Sequence, residues 1–124
     1  MNVTLSTLRD SLGAISGVAS CKVGLEKRLN PSDYPMIRIV PERIEAGRPY
    51  QHRTVRCIVF FAVKRLESEL GLEQVYSELM TMERSIIDAM TALGHKYVET
   101  QLNDQDVDGQ YKIAAIIADV IGAE

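Results

Sequence analysis

The sharpest chemical pattern in this sequence is Asp104, Asp106, Asp108 and Gly109. Oxygen ligands at positions 1, 3 and 5 with glycine at 6 form the first half of a calcium-binding loop. The second half departs from it. Position 12, which should supply a bidentate carboxylate, is Ala115, and position 9 is Lys112. A strand-like sequence also follows, where such a loop needs a helix. The segment Asn103 to Gln110 therefore reads as a solvated acidic turn, and neither a metal nor a cofactor is expected.

Nucleophiles and bases are sparse. Cys21 and Cys57 are too few for a disulfide scaffold, and both fall on expected strands, where a free cysteine serves as a small buried hydrophobe. His52 and His95 stand far apart, and neither has a cysteine, glutamate or second histidine at metal-site spacing. Cys57 and His95 can meet in space as a nucleophile and its base, but Cys57 sits inside a strongly apolar run that disfavours a thiolate. Gly13 and Gly17 lack the following Lys-Ser or Lys-Thr of a phosphate loop, and no serine has the nucleophile-elbow context. No residue is assigned a catalytic role, and the chain is not expected to be an enzyme.

Charge is the more informative feature. Residues 22–65 hold ten Lys or Arg against four Asp or Glu, a local +6, whereas the rest of the chain holds four against thirteen, a local -9. Such a division favours oriented head-to-tail contacts between subunits. Within the basic stretch, Arg38, Arg43, Arg48, Arg53 and Arg56 have only Tyr50 as an aromatic neighbour. That is poor material for stacking bases, so specific nucleic-acid binding is not expected. Arg38, Arg43, Arg48, Tyr50 and Arg53 are the candidate residues for contacts with subunits or partner proteins.

The elements that position these residues follow from periodicity. A chain of 124 residues suits one domain, 1–124, and can bury roughly two-thirds of its unfolded surface. Leu5, Leu8, Leu12 and Ile15 mark an amphipathic helix, with Thr4 as its cap and Gly17 just beyond its end. Val18 to Leu25 reads as a strand, Asn30 to Pro35 as a turn, and Met36 to Val40 as a short strand closed by Pro41. Glu42 to His52 reads as an exposed loop or extended arm. Arg53 to Arg65 is apolar on both faces in its middle, as in a central strand covered on both sides. Leu72, Val75, Leu79, Met82, Ile86, Met90 and Leu93 form the stripe of a long helix, widened by Met80 and Ile87 and stopped by Gly94. His95 to Leu102 and Tyr111 to Val120 complete a hairpin. The fold class is α+β: one mostly antiparallel or mixed sheet packed against an N-terminal helix and a long central helix.

No apolar run approaches the roughly 20 residues that span a bilayer, so no membrane partner is expected. The N-terminus has no basic segment leading into an apolar one, and synthesis in the cytoplasm is the default.

This layout resembles the small tail-terminator (tail-completion) proteins of long-tailed bacteriophages, the lambda-like tail protein U group and related prophage proteins. The features that carry the likeness are the first helix through Ile15, the segment from Tyr34 to Glu42 (YPMIRIVPE), the strand Val55 to Val63, the helix Leu72 to Leu93 and the terminal strand pair. The resemblance implies a homo-oligomeric ring, usually hexameric, in the virion tail. Such a ring caps the tail-tube protein and docks the tail to the head or its connector, with no catalytic residue or cofactor. The alternatives are another head–tail connector or morphogenesis protein, or a generic protein- or small-molecule-binding domain.

Overall fold

The computed structural model describes residues 3–26, 30–46, 53–64, 71–107 and 111–122. It is an α+β structure in which one five-stranded mixed sheet carries two helices. In chain order the elements are α1 (Val3–Gly13), β1 (Ser20–Val23), β2 (Met36–Ala46), β3 (Arg53–Lys64), α2 (Gly71–Ala92), β4 (Lys96–Val107) and β5 (Tyr111–Gly122), with a short 3-10 turn over Pro31–Asp33. The strand order is β1-β2-β3-β5-β4. Only β1 and β2 run parallel, and every other neighbouring pair is antiparallel.

β3 takes the centre because its sequence suits nowhere else. It pairs along nearly its whole length with β2 on one side and β5 on the other. Val55, Cys57, Val59, Phe61 and Val63 point to one face and are all buried. Against that face lie Leu5, Leu8 and Leu12 of α1 and Val75, Leu79, Met82, Ile86 and Met90 of α2, together with Ile37, Ile39, Ile116 and Val120 of the flanking strands. Each helix thus buries one stripe at spacings of three and four, as an amphipathic helix on a sheet must.

The end of α2 is fixed by its backbone. Gly94 adopts a φ of 84°, where a Cβ is disfavoured. This lets the His95 amide donate to the Met90 carbonyl at 3.0 Å and the Gly94 amide to Thr91 at 3.0 Å, the two bonds of a Schellman cap. Thr4 lies inside α1 rather than capping it. Its side chain occupies the space where a Cβ on Gly122 would sit, so α1 approaches the end of β5 closely.

Four further expectations about the fold need correction. Pro41 does not close β2, which continues to Ala46 through a bulge between Pro41 and Arg43. β1 reaches only as far as Ile39, so from Val40 onward β2 is an edge, where proline removes no ladder bond. The segment Asn103 to Val107 is strand rather than turn, because the first residues of β5 use it as a partner. Met80 (54% exposed) and Leu93 (36% exposed) lie off the buried stripe of α2. Finally, β3 is central, but both helices lie on one face of it.

Phe61 is fully buried in the middle of β3. Phe61→Ala should cost about 3–5 kcal/mol in equilibrium urea unfolding, by lost transfer energy and the cavity left behind. A loss under about 1 kcal/mol would contradict its place in the core.

Candidate functional site

Among the described residues no helix lies on the second face of the sheet, and the composition of that face follows row by row from the register. Residues paired across neighbouring strands share a face. Met36, Ala62 and Ile113 form one row, and Arg38, Phe60, Ala115 and Gln101 the next. Val40, Ile58, Ile117 and Glu99 follow, and then Arg43, Arg56, Asp119 and Lys96. The last row is Glu45, Thr54 and Ile121. Tyr34, Met36 and Ala62 form a small second cluster with Ile113 at one end of this face. Towards the other end Val40, Ile58, Phe60 and Ile117 are only half-buried, and Ile121 is 45% exposed.

The connection from β1 to β2 is held over this face by one ion pair. Arg38 is completely buried. Its Nε donates to Glu26 Oε1 at 2.6 Å and its Nη2 to Glu26 Oε2 at 3.1 Å, a bidentate fork. Its Nη1 donates to Ser20 Oγ at 3.0 Å and to the Ile37 carbonyl at 2.9 Å. The Ser20 hydroxyl in turn donates to the Asp33 carbonyl at 2.7 Å. The hydrogen bonds from Arg38 hold the Glu26 carboxyl down at about 2. Arg38, expected at an interface, therefore has no surface to offer, because its guanidinium joins β1, β2 and their connection.

The other basic residues divide differently. Arg43 is exposed and pairs with Glu45 at 2.9 Å. Arg53 is exposed at the start of β3. Arg48, Tyr50 and His52 lie outside the described residues, as do the side chains of Asp104 and Asp106 and the whole of Asp108 and Gly109. Arg56 forks onto Asp119 across the β3–β5 pair, at 3.0 and 3.2 Å. Those hydrogen bonds lower the Asp119 pKa and raise that of Arg56. Asp119 was not legible as its partner, since 63 residues separate the two and only the β3–β5 register joins them.

The groups that could act as nucleophile and base are enclosed. Burial pushes the Cys57 thiol up to about 12 and the half-buried Cys21 thiol to about 11. The buried His95 accepts a hydrogen bond at Nδ1 from the Ile121 amide at 3.1 Å, and burial lowers its pKa. Its neutral form therefore carries the proton on Nε2. A cleft of about 380 Å³ lies between the end of α1 and α2, lined by Ile15, Gly17, Pro35, Val63 and Met82 among others. Two hydroxyls on its rim are already engaged, Thr81 with the Ser77 carbonyl and Ser85 with the Thr81 carbonyl.

Two edges of the sheet are also exposed. Among the described residues, no strand pairs with the outer side of β2 from Val40 to Ala46, or with the outer side of β4. Pro41 to Glu45 and Lys96 to Glu99 are all exposed.

The Glu26–Arg38 fork predicts an acid-labile fold. Glu26 has a lower pKa folded than unfolded, so its contribution is complete above about 4.5 and is lost as pH falls towards about 2. Glu26→Gln should destabilise the protein at neutral pH by on the order of 2 kcal/mol, less than for a fully buried pair because the Glu26 side chain is 34% exposed. It should also flatten that acid limb. Thermal melts from pH 7 to pH 2 check both; equal acid limbs in the two proteins would contradict the assignment.

No family model matches the chain, and no curated protein matches its sequence.

Proposed function

We propose that this protein is a structural assembly subunit, a tail terminator of a long-tailed phage or prophage. It would form a ring that ends the tail tube and joins it to the head. The observation that carries this reading is the helix-free face of the sheet. β3 and β5 are apolar on both sides, yet α1 and α2 cover only one. Strands of that composition belong in sheets dry on both faces. The half-buried Val40, Ile58, Phe60 and Ile117 therefore suit contact with another protein surface. The order of elements, a helix, three strands, a long helix and a hairpin, also suits the terminator resemblance.

In this role the protein works by binding and not by chemistry. Its partners are further copies of itself, the tail-tube protein and the head–tail connector, and its place is the virion tail. A small-molecule-binding module is the second reading, favoured only by the cleft beside α1 and α2.

Sedimentation velocity of the full chain, alone and with tail-tube protein, tests the proposal. The expected result is a discrete species several times the 13.8 kDa protomer that binds tube ends, together with rescue of a terminator-deficient phage. A protein that stays monomeric under all these conditions and fails to rescue would refute it.

A further inference from the structure

β4 and β5 do not end together. Their pairing begins with Lys96 opposite Asp119, yet β5 runs on to Gly122. Before Lys96 the chain turns back into α2 through the left-handed Gly94, so β4 has no further strand residue to offer the Ile121 amide. A side chain takes the place of the missing strand: His95 Nδ1 accepts from the Ile121 amide at 3.1 Å. On its other side the end of β5 is held by β3, with Thr54 opposite Ile121 and Arg53 opposite Gly122. An amide can only donate, so the bond requires an unprotonated Nδ1.

We infer that the His95–Ile121 hydrogen bond is a pH-sensitive latch on the end of β5, closed by the neutral imidazole and opened when Nδ1 takes up a proton. Protonation turns the acceptor into a donor and sets two N–H groups against each other. It also places a positive charge on a side chain that is only 8% exposed. The ring escapes both costs by leaving its site, which frees the Ile121 amide and the last residues of β5. Ile121 lies in the last row of the helix-free face. Acid therefore alters the surface that the proposed assembly would use, but the latch belongs to the protomer and stands whether or not copies associate.

Among the described residues, the charges of the surrounding elements are turned elsewhere or engaged. Lys96 of β4 and Asp119 of β5 share a row on the helix-free face, where Asp119 also holds Arg56. Glu99 lies on that face one row further along β4. In α2, Arg84 and Asp88 are exposed and face each other at 3.8 Å, and in α1 Arg9 pairs with Asp10 at 3.0 Å. Arg53, on the far side of β5, is exposed. Burial is accordingly the cause of the lowered His95 pKa. The unfolded imidazole holds its proton more tightly than the folded one, so the contribution of the latch is complete above about 6.5 and declines as pH falls below that value. This window lies above that of Glu26, whose contribution begins to fall only below about 4.5.

Nuclear magnetic resonance of the full chain tests the latch. His52 is the only other histidine, so a His52→Gln variant assigns the imidazole signals. At neutral pH the His95 ring nitrogens should report the Nε2-protonated tautomer, and the titration midpoint should lie below about 6.5. Between pH 7 and pH 5, exchange of the Ile121 amide, corrected for the intrinsic effect of pH, should accelerate about tenfold or more. The Val59 amide, in the middle of β3, should stay protected. His95→Gln keeps an acceptor that does not titrate, so its Ile121 amide should exchange equally at the two pH values. An Nδ1-protonated tautomer, a midpoint at or above about 6.5, or wild-type Ile121 exchange indifferent to pH would overturn the latch. So would a His95→Gln protein that accelerates as wild type does, or a Val59 amide that loses protection in step with Ile121, which marks global unfolding. Should His95→Gln fail to fold, the wild-type measurements decide alone.

Discussion

Two adjacent strands, β3 and β5, are apolar on both faces, and the rest of the molecule is arranged around keeping them dry. One face is closed by α1 and α2, whose leucines, isoleucine and methionines meet Val55, Cys57, Val59 and Phe61 in a continuous core. Two helices of 11 and 22 residues can close one side of a five-stranded sheet, but the chain has no third helix among its described elements for the other. The second face is completed only in part, by the connection between β1 and β2. Among the described residues, nothing covers the half nearer Ile121.

The buried arginine belongs to the same problem. Placing a connection across a sheet face means ordering backbone far from any helix, and the Glu26–Arg38 fork does this with two strong hydrogen bonds. A buried cation is costly unless fully satisfied, and Arg38 has four hydrogen bonds to three residues. The pair therefore specifies one path for the connection more than it adds stability. It also withdraws Arg38 from the surface charge. With Arg56 engaged by Asp119, the basic middle of the sequence is less of a positive surface than its composition suggests.

Much of the fold was legible because its signals are periodic. The helix stripes around Leu8 and Met82, the two-faced β3 and the positive-φ Gly94 all follow from residue type and spacing. Local composition misled where pairing decides. Pro41 and Glu42 look like the end of a strand, yet β3 holds them in one, and Asn103 to Val107 looks like a turn, yet β5 pairs with it. The candidate surface was legible only as a list of arginines. Arg38 and Arg43 are five residues apart on one strand, but the first is enclosed and the second exposed, because the β1–β2 connection covers one end of that face and not the other. The charged row Arg43, Arg56, Asp119 and Lys96 needs the strand order and register, neither of which a single sequence displays.

The central claim, that another protein surface completes the face of the sheet opposite the helices, is tested most directly by placing a charge on that face. Ile121 lies on it and is 45% exposed, so Ile121→Glu should leave the fold intact by circular dichroism. In sedimentation velocity wild type should form a discrete species several times the 13.8 kDa protomer, and Ile121→Glu should weaken that association about tenfold or more. A folded Ile121→Glu protein that associates as tightly as wild type, or a wild type that stays monomeric throughout, would contradict the account.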